Sequence, residues 1–495
     1  MGKKSVTAYL RPSAWALEPE PSTFAPSSRW SNKDMDPVPP HARTWTTWNY
    51  VAYWISDATN AAVWELASSM LAVGLSWRQA LPAIAVGHCI IAVVIALNGT
   101  TGARLHVAFP VLNRSSFGFW FSYFSVISRI LLSMFWFGIQ TYTGSECVYQ
   151  MLKAIWPSLA HLPNHLPESA NITTSGRCLL FPFMLISPQR IRWLFVVKAC
   201  IVPATWLSML IWAFVKVPSS KGLFEQHSSV SGGNMSWAWL SALNSALGIY
   251  ATLAVNIPDF TVSTLWDPLR LINQWDNRAA AFFAAFAFVL ATLGTNISAN
   301  SLSAANDMTV LFPRYINIRR GQILCALLGG WALCPWEILA SAEGFLTFIN
   351  GYTVFLGPFA AIMVVDYWFL HKGRVDVPSM YRPHGRYRYT YGFNWRAVLA
   401  ILCSVPPGFP GWIHSINTEI HVGRVGNIFN FAWIYGFTVA GTVYYITSTL
   451  WPARETYIPE AILASDAPSH KDDSTPSEIE DEKKSIRADV KEALA

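Results

Sequence analysis

"AAAFFAAFAFVLATLGTNISANSLSAA", residues 279–305, runs for 27 residues without a single charge. About 20 helical residues cross the ~30 Å hydrocarbon layer of a bilayer, so this stretch has length to spare. Backbone groups in lipid must find their hydrogen bonds inside their own segment, which makes the stretch a membrane-spanning helix. Its second half adds Thr295, Asn296 and Asn300 to an otherwise apolar run. Asn296 and Asn300 stand four apart and share a face, and polar side chains at membrane depth turn toward a bundle interior or a cavity. Composition agrees: 53% of the 495 residues are hydrophobic, 13% are charged, Trp occurs 24 times and mean hydropathy is +0.30. That describes a polytopic membrane protein and excludes an ordinary soluble domain.

Runs of the same kind recur near 48–75, 81–97, 117–142, 194–215, 237–257, 323–340, 345–369, 398–413 and 428–451, which makes ten spans in all. A further apolar string, "CLLFPFMLI" at 178–186, is roughly 14 Å long as a helix and too short to span unaided. The spans define a transmembrane unit over residues 45–451. Residues 1–44 are rich in Pro, Ser and basic side chains and carry no continuous apolar stretch of a signal peptide. Residues 452–495 mix acidic and basic side chains. Both segments read as disordered cytosolic tails, the second with a possible role as a handle for trafficking or ubiquitin ligase machinery. The seven cysteines lie in or beside apolar runs without metal-type pairing and read as packing residues. No His/Asp/Glu metal spacing, nucleophile elbow or phosphate loop emerges, which argues against a membrane enzyme. Nothing in the chain calls for nucleic acid.

Two residues stand out on another span. Trp136 and Gln140 are four apart, and a flat indole beside a two-sided amide suits a planar heterocycle with adjacent N–H and C=O groups. Taken alone, Trp136 reads equally as packing or as part of an aromatic belt, and Asn296 equally as a bond between helices. Two spans carry interruptions where unwound backbone could offer free groups to a ligand: "WISDATNAAVW" (54–64), with Asp57, Thr59 and Asn60, and "LGIYATLAVNIPDF" (247–260), with Gly248 and Tyr250. Gly248 also reads as a point of close helix packing. Glu65, Glu146 and Lys198 are ionisable groups in or near spans, and so candidates for carrying a proton.

Arg and Lys concentrate in the N-terminal segment, at Arg104 and Arg114, at Arg190 and Arg192, at Arg314, Arg319 and Arg320, and between 372 and 396. By the positive-inside rule all of these belong in the cytosol. Crossings counted from a cytosolic N-terminus, with 178–186 included, satisfy the rule up to 257. Beyond "NIPDFTVSTLWDPLRLINQWDN" (256–277) every basic loop is stranded outside. Either a span is missing between 257 and 279, or 178–186 does not cross.

The strings "VPPHARTWTTWNYVAYW" (38–54), "NRSSFGFWFSYF" (113–124), "FWFGIQTYTG" (135–144), "NIPDFT" (256–261), "ANDMTVLFPRYINIRRGQ" (305–322) and "INGYTVFLGPFAAIMVVDYW" (349–368) together resemble the nucleobase:cation symporter-1 family, and within it the fungal uracil, allantoin and uridine permeases. The resemblance extends from about residue 32 to 452. It implies an all-α integral membrane fold: a leucine-transporter-type bundle of two inverted five-helix repeats plus two C-terminal helices. Family members continue "NIPDFT" with a whole seventh helix, which has no counterpart here, and their fourth helix begins well before 178–186. The resemblance therefore implies that helix seven is lacking and helix four is shortened.

The same resemblance implies the site. Relatives stack the substrate on a Trp of helix three and bond it with a Gln one turn later, here Trp136 and Gln140. Asn300 matches their helix-eight ligand, with Asn296 beside it, while Gly248 and Tyr250 fall where the sixth helix covers the substrate's second face. Thr295 and the carbonyl of Ala291 match one side of the cation site of sodium-coupled relatives, but Gly294 stands where a Ser is expected. Fungal members are typically proton-coupled, which suits that departure: the implied coupling ion is H+ in preference to Na+, with no cofactor. The implied function is import of a nucleobase or related heterocycle across the plasma membrane by proton symport, with both termini cytosolic if the fold is complete. Two alternatives stand beside it: a transport-dead sensor or truncated remnant, and a permease for uridine, thiamine or nicotinamide riboside.

Overall fold

The computed structural model describes residues 15–17, 22, 24–25, 28, 30–43, 46–59, 61–161, 188–216, 228–255, 272, 275, 277–333, 338–339 and 341–466. The string at 178–186, Asn60 and nearly all of 256–276 lie outside the described residues, and with them the expected shortening of helix four and loss of helix seven.

Within the described residues, the expected spans fall largely on helices. The first is a broken pair, α1 (Thr47–Asp57) and α2 (Ala61–Ala72), parted where Asp57, Thr59 and Asn60 interrupt the apolar pattern. Next come α3 (Trp77–Leu105), the short α4 (Phe109–Phe117), α5 (Ser122–Ile155), α6 (Pro188–Lys216) and α7 (Gly233–Val255). The opening stretch of sequence is the body of α8 (Arg278–Leu311). Then follow α9 (Ile318–Leu327), α10 (Ala342–Leu370), the linked α11 (Trp395–Ser404) and α12 (Phe409–Ile416), and α13 (Ala432–Leu450). Six of these stretches are long and apolar enough, by length and composition, to cross a membrane: Trp77–Leu105, Ser122–Ile155, Phe195–Trp212, Arg278–Leu311, Ala342–Leu370 and Trp395–Ile416. Helix starts are written locally. Ser76 and Gln79 form a capping box on α3, Asn277 accepts from Ala280 N on α8, and Ser341 accepts from Gly344 N on α10.

The helices pack in two connected groups. In one, α3 lies on α7, α7 on α10, and α10 and α11 on α13; in the other, α5 lies on α8, and α6 on both α8 and α1. Small residues allow the closest approaches. A Cβ on Gly87 would fall 2.8 Å from the Ala246 Cβ, and one on Gly248 would fall 2.6 Å from Ile349 Cγ2 and 2.7 Å from Thr353 Cγ2. A polar ladder runs along the α7–α10 seam: Asn244 Nδ2 donates to Asn350 Oδ1 at 2.9 Å and to Thr353 Oγ1 at 3.1 Å, and Ser245 Oγ donates to Asn350 Oδ1 at 2.9 Å.

Several expectations change here. The interruption read at 247–260 is not seen up to Val255, where α7 is continuous helix through Gly248 and Tyr250. Gly248 serves close packing on α10, which needs no unwinding. Among the described helices, π-helical stretches occur instead at Asn296–Leu302 of α8, at Leu328–Ala332 following α9 and at Val365–Leu370 of α10. The described parts of both terminal segments dock on the bundle. Trp30 is buried against Phe119, Trp120 and Tyr123, Arg114 Nη1 donates to the Trp30 carbonyl at 2.8 Å, and Tyr381 donates to the Met35 carbonyl at 2.8 Å. At the other end Ile462 exchanges backbone bonds with Val375 and Val377. A few apolar anchors in hydrophilic segments suffice to dock them, and average composition hides such anchors. Of the described cysteines, Cys147 and Cys325 are buried as expected, whereas Cys89, Cys200 and Cys403 are exposed on helix faces.

Candidate substrate and cation site

Two long helices in contact, α5 and α8, carry most of the candidate residues. A π-helical stretch widens the turn of α8, and such stretches gather at functional sites. It carries Asn296 and Asn300, both buried. Asn296 Nδ2 donates across the seam to Thr141 Oγ1 at 2.8 Å and to the Phe137 carbonyl at 3.3 Å. Asn300 Nδ2 in turn donates to Asn296 Oδ1 at 3.0 Å. The expected pair is thus one relay, with Asn296 bonding the two helices and Asn300 at its free end.

On the facing side, Trp136 and Gln140 share one face of α5 and are both buried. Three rings of α10 meet Trp136 edge-on: Phe345, Phe348 and Tyr352, with centroids 6.2, 5.8 and 6.4 Å away. Tyr352 donates to the Gly248 carbonyl at 3.0 Å, which ties α7 to the same cluster. Gln140 Oε1 is buried with no hydrogen-bond partner. A buried amide oxygen left in this state costs about 1–3 kcal/mol, which an incoming N–H would return.

Tyr250 turns another way. Its ring meets His88 of α3 edge-on at 4.6 Å, and both line a cavity of about 420 Å³ with Trp54, Ile91 and Ile95. The structure therefore joins Asn296 and Asn300 of α8 to α5 through Phe137 and Thr141, turns Trp136 toward α10, reaches Gly248 through Tyr352, and sets Tyr250 against α3.

The cation-site residues hold a surprise. Thr295 donates to the Ala291 carbonyl at 3.2 Å and accepts from Lys198 Nζ at 2.9 Å. Lys198, on α6, is fully buried and does not snorkel to the interface. A Cβ on Gly294 would lie 3.3 Å from Lys198 Cδ and 3.5 Å from its Nζ, so the absent side chain at 294 makes room for the lysine. The ammonium stands on the hydroxyl that belongs to the expected cation site. Of the other ionisable candidates, Glu65 is buried on α2 and Glu146 is half-buried on α5.

Sequence reasoning missed Tyr352, although it lies in a quoted motif, because an aromatic in an apolar run carries no signal of its own. It also missed the buried bidentate pair of Arg129 with Asp307, which joins α5 to α8 beyond the relay, with the guanidinium 4.1 Å over the Phe109 ring.

A bundle of membrane-length helices with polar side chains buried halfway along α8 is the architecture of a polytopic membrane protein. The family profile described as permease for cytosine/purines, uracil, thiamine and allantoin matches residues 37–264 and 262–436, and the chain belongs to this family. It is 34% identical to an uncharacterised permease of Schizosaccharomyces pombe, covering 87% of this chain and 86% of that one. It is 30% identical to the allantoin permease of Saccharomyces cerevisiae (86% and 76% covered) and 31% identical to that yeast's uracil permease (78% and 70%). In fold it is similar to MHP1, a nucleobase-cation-symport-1 family transporter solved closed with bromovinylhydantoin bound. The TM-score is 0.64 at 19% identity, with 86% of this chain and 97% of that one covered. The protein is thus a multi-pass membrane permease of the nucleobase-cation-symport-1 type.

Proposed function

We propose that this permease imports a nucleobase or a related heterocycle such as uracil or allantoin, driven by a proton, across the plasma membrane with both termini in the cytosol. The observation that carries the reading is the buried, unpartnered Oε1 of Gln140 one turn from Trp136. The indole offers a stacking face, the amide oxygen accepts a ring N–H, and Asn300 at the end of the relay supplies a further polar contact. Proton coupling is supported by Lys198. Its ammonium already bonds Thr295 where sodium-coupled relatives bind their ion, and Gly294 removes a hydroxyl that a sodium ion would use.

A second reading, a permease form that binds without transporting, is favoured by one observation. The family match comes in two pieces that overlap at 262–264, and the sequence between "NIPDFT" and 277 carries no apolar run long enough for a seventh helix. Uptake of radiolabelled uracil and allantoin by a permease-deficient yeast, expressing this chain or the chain with a family-type helix inserted after Thr261, separates the two. Acid-stimulated, sodium-independent uptake by the native chain supports import. Uptake only by the lengthened form supports the second reading, and a steep sodium dependence overturns proton coupling.

A further inference from the structure

His371 directly follows the π-helical last turns of α10, Val365–Leu370, and is buried. Both of its ring nitrogens face acceptors. Nδ1 lies 3.0 Å from the Asp366 carbonyl oxygen and 3.4 Å from Asp366 Oδ1. Nε2 lies 3.0 Å from Thr456 Oγ1, and that hydroxyl places its own proton on the Ala453 carbonyl at 2.8 Å. A neutral imidazole has one N–H and can serve one side; only the imidazolium donates to both. Were the ring neutral, either Nδ1 would lose its hydrogen bond to Asp366 or Thr456 would have to turn its hydroxyl from Ala453 to Nε2, and in both cases the charge attraction to Asp366 would be lost.

What this contact holds is the segment after α13. Besides Thr456, the segment is held by bonds from Val377 N to the Ile462 carbonyl and from Ile462 N to the Val375 carbonyl, both 3.0 Å, and by Arg386 on the Glu455 carbonyl at 3.3 Å. The Tyr457 ring lies 5.2 Å from the His371 ring. Asp366 itself is fixed by Ser116 of α4 at 3.0 Å and Tyr444 of α13 at 2.7 Å, so the imidazole joins the segment to a node that binds three helices.

We propose that His371 is a proton-operated latch, clamping residues 453–464 onto the ends of α4, α10 and α13 as an imidazolium and loosening them when it loses its proton. The other ionisable groups around Asp366 and Tyr457 are Tyr387 and Tyr389 of the loop after α10, Tyr444 of α13, Arg396 of α11 and Glu455 of the segment itself. Burial holds Tyr387 and Tyr389 above the ordinary tyrosine value, so neither titrates in the range of an imidazole. For His371, burial pulls the pKa down, but the charge of Asp366 and its hydrogen bonds outweigh it and leave the value raised. The stabilisation is therefore complete below the free imidazole value and is lost as pH rises through the raised, docked value.

Hydrogen exchange of the full-length protein in lipid nanodiscs, from about pH 5.5 to about pH 8.5, tests this. After correction for intrinsic rates, the amides of Val377 and Ile462 are expected to be roughly tenfold better protected at the acid end, the worth of one charge-assisted hydrogen bond. In His371→Gln the protection should no longer depend on pH. Thr456→Val, which leaves the Asp366 contact intact, should loosen the segment in acid and also remove the dependence. Equal protection across the range in the native chain, no protection at any pH, or a dependence that survives in either variant overturns the latch.

Discussion

Two buried polar groups show how differently this molecule uses the same kind of atom. The Asp366 carboxylate receives Ser116, Tyr444 and His371 from three directions. The Gln140 carbonyl oxygen, as deeply buried, receives nothing. The first is a finished joint, since a buried charge is tolerated only when its lone pairs are filled. The second is, in the proposed function, an acceptor left for a ligand, since an unfilled buried acceptor is costly and therefore worth filling. A joint should be felt in stability and a site in binding, and that division can be broken experimentally.

The largest effect is expected at the joint. Asp366→Ala leaves Tyr444, Ser116 and His371 facing a void and should cost about 3–5 kcal/mol of stability, read as a lowered melting temperature or as loss of protein from the membrane fraction. Next comes Lys198→Met, which keeps the stem and removes the charge. It should abolish the acid stimulation of uptake or binding, while stability changes by no more than the ~1.5–3 kcal/mol of one hydrogen bond to a charged group. Unchanged pH dependence would remove Lys198 from the coupling site. Gly248→Ala lies between the two classes. Its new methyl would press on Ile349 and Thr353, so stability should fall by about 1–3 kcal/mol, with substrate affinity following only as far as the Tyr352 contact shifts. A large affinity loss at unchanged melting temperature would make Gly248 part of the site rather than of the packing.

The candidate site's residue pairs were more legible than the joint, for a physical reason. Asn296 and Asn300, like Trp136 and Gln140, sit one helical turn apart, so periodicity alone puts each pair on one face, and a polar residue in an apolar span advertises itself. The break between α1 and α2 was visible for the same reason. The partners of Asp366, by contrast, lie at 116, 371 and 444, and Arg114 reaches both Trp30 and Met380. No local pattern records such meetings. Likewise the buried placement of Lys198 needed Thr295 and the space at Gly294, both on another helix, and Trp30 and Met35 anchor a segment whose average composition reads as a solvated tail.

The most direct measurement of the central claim takes Gln140→Ala and the native chain in the same purified state, and reads uracil affinity and melting temperature together. An open acceptor predicts a loss of roughly tenfold to over a hundredfold in affinity, from about 1–3 kcal/mol, with a melting temperature that does not fall, because no bond within the protein is removed. Unchanged affinity, or a melting temperature that drops as it does in Asp366→Ala, would contradict it.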